Sequence, residues 1–177
     1  MASKFLLRAV ALLLFVSSFN LPAYAQRTII SHVSHYEVIV PSTMTKDADS
    51  EENRGEDLIF YDTVSDIMMS ITARDGDFKS LDSYLDCTKP TLEKDLRAAQ
   101  DDSTLILLDC RKSPYYTAQS IVLHFETKAF PAGLDRSIIY FFHHNTKEIQ
   151  FSFVYSKADS KNDMLYIDNI MKTMKLL

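Results

Sequence analysis

The sequence predicts an α+β domain, a mostly antiparallel sheet covered by helices. Two patterns carry this reading. Short apolar segments with the two-residue alternation of strands fall in two groups, one before residue 75 and one after residue 104. Between the groups, and again at the carboxyl end, the apolar period lengthens to that of a helix. No internal repeat or low-complexity tract suggests a second domain.

Taken in order, Gln26 to His35 reads as a lead-in, and Tyr36, Val38 and Val40 then alternate with Glu37 and Ile39 as a strand. Pro41, which has no N–H to give a ladder, ends it. Lys46 to Asp57 is the most polar stretch and reads as a solvated loop. Residues 58–62 and 66–73 are strands, closed by the turn residues Arg74-Asp75-Gly76-Asp77. From Phe78 onward Leu81, Leu85, Leu92, Leu96 and Ala99 recur near helical spacing. Lys89-Pro90 interrupts that run, with Thr88 placed to cap a second helix and Pro90 in its first turn. Four strands follow at 105–110, 121–126, 137–142 and 149–155, the last two joined by a polar turn from His143 to Glu148. A final helix through Lys161 to Leu177 carries Met164, Ile167, Met171 and Met174 as one apolar stripe, with Ser160 and Asp163 as an approximate capping box.

Residues 1–25 read as a secretory signal peptide: Lys4 and Arg8, then the apolar run Ala9 to Val16, then Pro22 before Ala23-Tyr24-Ala25. The run is too short to span a bilayer comfortably. Cleavage before Gln26 leaves one domain, residues 26–177, in the periplasm or outside the cell, with no membrane insertion after the leader is removed. Loss of two basic residues and no acid moves the net charge from −5 to −7. Such a surface matches neither nucleic acid nor anionic lipid, which need basic patches. In an oxidising compartment the even pair Cys87 and Cys110 reads as one disulfide.

Catalytic signatures are missing. With Gly55, Gly76 and Gly133 as its three glycines, the chain has no nucleophile elbow, phosphate loop or dinucleotide fingerprint, and no cofactor is expected. His32, His35, His143 and His144 follow no metal-ligand spacing and read as solvated polar residues. Asp47, Asp49 and Glu51 start like a calcium loop, but Glu52 and Leu58 stand where it needs Gly and Glu. His124 reads as a strand histidine on the wet face, with general-base chemistry in a small hydrolase as the alternative.

Three segments resemble the fold shared by the PsbP subunit of the oxygen-evolving complex, the Ran-binding Mog protein and periplasmic proteins such as DcrB. They are the opening Tyr36-Glu37-Val38-Ile39-Val40-Pro41, the helix start Phe78-Lys79-Ser80-Leu81-Asp82-Ser83-Tyr84-Leu85, and the strands of 137–155 running into a last helix. The resemblance implies an α/β/α sandwich acting as an accessory or partner-binding module, not an enzyme. Similar folds among periplasmic immunity proteins imply, by analogy, an inhibitor of a secreted antibacterial effector. A protein partner, a basic effector in that reading, would meet loops or a sheet edge rather than the buried sheet centre. The candidate contacts are Asp47, Asp49, Glu51, Glu52, Glu56 and Asp57 in the acidic loop, and Tyr115 and Tyr116 after the turn-like Lys112-Ser113-Pro114.

Overall fold

The computed structural model describes residues 25–32, 34–47, 58–75, 80–115, 119–131 and 133–177. The leader up to residue 24 and the acidic segment 48–57 lie outside them. In chain order the elements are β1 (Gln26–Ser31), β2 (Tyr36–Pro41), β3 (Met44–Lys46), β4 (Leu58–Asp62) and β5 (Met68–Asp75), then α1 (Asp82–Asp86) and α2 (Lys89–Ala99). After these come β6 (Ile106–Lys112), β7 (Ser120–Glu126), β8 (Arg136–His144), β9 (Lys147–Tyr155), a 3-10 turn (Lys157–Asp159), α3 (Ser160–Met171) and β10 (Lys175–Leu176).

Seven strands form one antiparallel sheet in the order β3-β4-β5-β9-β8-β7-β6, and β1-β2-β10 form a small second sheet. The expected α+β class with a mostly antiparallel sheet holds. Alternation decides which side chains go inside. Tyr140 and Phe142 of β8, with Phe151, Phe153 and Tyr155 of β9, face Tyr36, Val38 and Val40 of β2 and Ile167 and Met171 of α3 in the main core. Phe151 is fully buried, with its ring edge-on to Tyr36 at 5.5 Å and to Phe142 at 6.0 Å. Burying a side chain of this size contributes about 2–3 kcal/mol.

The opposite face is covered by α1 and α2. Leu81, Tyr84, Leu92 and Leu96 pack over Leu107, Ile121, Leu123 and Phe125 in two smaller clusters that take no residue from β3, β4, β5 or β9. One side of α2 also reaches the main chain of the edge strand β6. Lys89 Nζ donates to the Leu108 carbonyl at 3.2 Å, Glu93 Oε2 accepts from the Leu107 N–H at 2.8 Å, and Arg97 Nε donates to the Leu105 carbonyl at 2.6 Å.

Several local readings are corrected. The lead-in is a strand, β1, because pairing with β2 satisfies its backbone and Ile29 packs into the core. Just before the polar stretch, sharing Lys46 with it, runs the three-residue β3, anchored by the fully buried Met44. The turn after β8 shrinks to Asn145-Thr146, with Asn145 at φ +55°, so His143 and His144 belong to the strand. His143 Nε2 lies 3.0 Å from Glu148, and His144 Nε2 lies 3.0 Å from the Leu177 carbonyl. Thr88 does stand at the N-cap of α2, but its hydroxyl bonds Thr91 Oγ1 at 2.9 Å instead of a backbone N–H. The last helix ends at Met171, and the chain turns to add β10 beside β2 while Met174 stays in the core. Its expected capping box is absent, since Asp159 takes the N-cap position and Asp163 is buried.

Candidate functional site

At one end of the large sheet the turn from β4 to β5 is built around Asp62. Its carboxylate accepts hydrogen bonds from the Val64 N–H at 2.8 Å, the Ser65 N–H at 3.3 Å, Thr43 Oγ1 at 3.0 Å and the Tyr166 hydroxyl. An aspartate bonding the backbone two residues on is the local geometry that makes this residue a turn former. Burial pushes the Asp62 carboxyl up, and the hydrogen bonds, Tyr166 first, outweigh it and leave the group below its ordinary value. The Asp62 N–H donates to the Ile67 carbonyl at 2.8 Å and closes the turn. Inside it Asp66 sits at φ +50°, a left-handed conformation that aspartate tolerates.

Opposite this turn runs the connection from β7 to β8. It is pinned by Asp102, which accepts from the Thr104 N–H at 2.8 Å, the Thr104 hydroxyl at 2.7 Å and the Thr127 hydroxyl. The Asp135 carboxylate accepts the Lys157 N–H at 2.6 Å, tying the connection to the start of the 3-10 turn. Gly133, at φ +94°, supplies a backbone bend that a side chain would resist.

Between the two loops opens a cleft of about 520 Å³, lined by Tyr61, Met68 and Leu134 as apolar walls, by Gly133, and by Asp62 and Asp66 as its charged groups. Its size falls within the range of small-ligand clefts. Tyr61 stands 44% exposed although its neighbours in β4 are buried. No lysine or arginine among the described residues lines the cleft. Close by, Asp163 is 3% exposed, and burial, then Asp159 and Asp66, raise its carboxyl to about 6. Asp62 has its lone pairs committed to four donors, so it is a structural anion and a poor general base. The arrangement suits holding a group with an apolar stem and a positive head.

The other candidates lie elsewhere. Asp47 follows β3 and donates its N–H to the Ile59 carbonyl at 2.8 Å. Asp49, Glu51, Glu52, Glu56, Asp57 and Tyr116 lie outside the described residues. Tyr115 is half-buried, with its ring edge-on to Tyr140 at 5.6 Å and its hydroxyl bonded to Asp168 of α3, so the fold itself uses it. His124 is less wet than the sequence suggests: its Nε2 lies 2.7 Å from the Tyr155 hydroxyl. Burial first, then Arg136, lowers its pKa, which keeps the ring neutral at neutral pH. Among the described residues no group of three or more His, Cys, Asp or Glu side chains could hold a metal.

Cys87 and Cys110 are free thiols here, so the disulfide expected from the even count is not formed. Cys87 stands exposed just past α1, while Cys110 is half-buried in β6 with its Sγ 3.9 Å from the Tyr84 carbonyl. Burial, then Asp109 and Cys87, push the Cys110 thiol up. Thiolate is the reactive form, so Cys87 is expected to alkylate at least about tenfold faster than Cys110 in the native protein at pH 7.5, as followed by mass spectrometry. Equal rates would contradict the burial of Cys110.

The sequence reading missed Tyr61, Asp66 and Leu134. The signal present was Asp62-Thr63-Val64-Ser65-Asp66, five turn-compatible or exposed residues between two apolar strands. The facing loop could be found only in three dimensions.

No protein-family profile and no curated protein matches this chain. Solved structures do. The cyanobacterial PsbP (CyanoP) of Synechocystis superposes with a TM-score of 0.63 at 10% identity, over 89% of this chain and 96% of that one. The Ran-binding protein Mog1p of Saccharomyces cerevisiae superposes at 0.57 and 6% identity, over 87% and 96%. The fold is PsbP/Mog-like. A Pseudomonas aeruginosa protein of unknown function shares it at a TM-score of 0.51 and 12% identity, over 84% of this chain and 94% of that one. At these identities the likeness covers architecture, and the PsbP/Mog-like sheet and helices account for nearly all the described residues. Among the described residues no helix is long and apolar enough to cross a membrane.

Proposed function

We propose that this PsbP/Mog-like chain is an exported protein-binding module without enzymatic activity. Its residues 1–25 are removed as a signal peptide, and residues 26–177 work as one domain in the periplasm or outside the cell. The observation that carries the reading is the cleft of Tyr61, Met68, Leu134 and Asp66 between two loops, one built around Asp62 and the other pinned by Asp102. Ran binding by Mog1p, a protein of the same fold, supports a protein as the ligand. In its most concrete form the module is an immunity-type inhibitor of a basic, secreted antibacterial effector, with the acidic segment from Asp47 to Asp57 speeding encounter. An accessory role in the cell envelope is the second reading, favoured by the likeness to PsbP.

The test uses the processed chain to capture proteins from the exported fraction, followed by purification of each captured protein and interferometry at low and high salt. One-to-one saturable binding with an association rate that falls as salt rises is the expected result. Failure of every purified candidate to bind saturably would end the reading.

A further inference from the structure

The cleft has a more specific chemistry than protein binding in general, and the inference drawn from it rests on the protein-binding reading. We propose that it receives an arginine side chain of the protein partner, with the stem against Met68 and Leu134, the guanidinium over Tyr61, and its charge on Asp66.

Four observations converge on this occupant. The walls are apolar and one is aromatic, with Tyr61 exposed at the position where β4 meets the turn. A guanidinium stacks on an aromatic face more readily than an ammonium, which favours arginine over lysine. The charges lining the cleft are carboxylates, and among the described residues no lysine or arginine pairs with Asp66. Asp62 cannot take the ligand's charge, because Thr43, Val64, Ser65 and Tyr166 already fill its acceptor sites. Asp66 is therefore the acceptor left open, on a turn whose conformation is fixed from within.

The amino end of α3 lies behind the cleft, and a helix amino end by itself favours anions. Here Asp159 at the N-cap and Asp163 in the first turn already answer that dipole. Asp163, buried and within electrostatic reach of Asp66, adds negative potential on the same side. Lys157, in the 3-10 turn that Asp135 ties to the facing loop, is paired with Glu126 at 3.4 Å.

The experiment titrates the isotope-labelled chain 26–177 with N-acetyl-arginine methylamide and, separately, with the citrulline analogue, which keeps the shape and lacks the charge. The arginine probe is expected to shift the amides of Tyr61, Asp66, Met68 and Leu134 saturably, with at least about tenfold lower affinity for citrulline, the size of one lost charged contact. Asp66→Asn preserves a residue that accepts the left-handed conformation, so it keeps the fold and removes the preference for arginine. Tyr61→Ser weakens both probes. Equal shifts from arginine and citrulline, or shifts scattered away from these four residues, overturn the proposal. This outcome is independent of whether a partner is captured, so failure here leaves the protein-binding test standing, and failure there leaves this one readable.

Discussion

Replacing Asp163 with asparagine is expected to stabilise the protein at pH 7.5 by up to about 3 kcal/mol, taking 1.36 kcal/mol per unit over the rise from 3.8 to about 6. A raised carboxyl means that the folded state holds its proton while the unfolded chain has lost it. The stability tied to this proton is therefore fully present below the ordinary value of 3.8 and lost as pH rises through about 6. Above that, folding traps a buried carboxylate beside Asp159 and Asp66. The amide removes the charge. Thermal unfolding across pH 4 to 8 checks the claim: the gain should be small near pH 4, grow between pH 4 and 6 and level off above that. A loss of stability that is the same at both ends of the range would sink it.

Asp62 stands at the same end of the sheet and behaves in the opposite way. Asp62→Ala is expected to cost about 3 kcal/mol at pH 7, since four donors lose their acceptor and each buried orphan costs about 1–3 kcal/mol, offset where water can enter the turn. For a folded unit of the size of residues 26–177 this lowers the melting temperature by roughly 6–12 °C. The lowered carboxyl gives stability that is present above its ordinary value and lost as pH falls through the lowered one. Asp62→Asn keeps one carbonyl acceptor and should fall between. Urea unfolding reads this as a lower midpoint with an unchanged slope. A midpoint for the alanine variant within the scatter of the parent would show that the turn does not depend on the carboxylate.

The large strands were legible because one face of each is committed to the core. In β2 and β9 the alternation of buried apolar residues with less buried ones records that commitment and fixes the register, while β8, covered on both faces, reads as a continuous apolar run. β1, β3 and β10 were not legible. They are short or mixed in character, and it is pairing with a neighbouring strand that makes them strands, for β10 with β2 from the other end of the chain. Asp163 misled for a related reason: its spacing from Ser160 suits a cap, yet packing of α3 onto the sheet carries it inward. The cleft was hidden because its two walls are separated by more than 60 residues and are brought to one end of the sheet by the pairing of β5 and β8 with β9. A charge run such as 47–57 is visible in sequence, whereas a pocket made of Tyr61 and Leu134 is a property of topology.

The side chains of Lys89, Glu93 and Arg97 along β6 have a consequence for how this molecule can be approached. An exposed edge strand is a template on which another chain can add a strand, whether a partner peptide or a second copy heading toward aggregation. Here two main-chain groups of that edge, and the Leu105 carbonyl just before it, are already bonded by side chains of one helix, and the Leu107/Asp109 bulge breaks the ladder's regularity. The other edge, β3, is three residues long. Strand addition to the large sheet is thus hindered over the first half of β6 and offered only three residues at β3, which works against edge-to-edge association of concentrated protein.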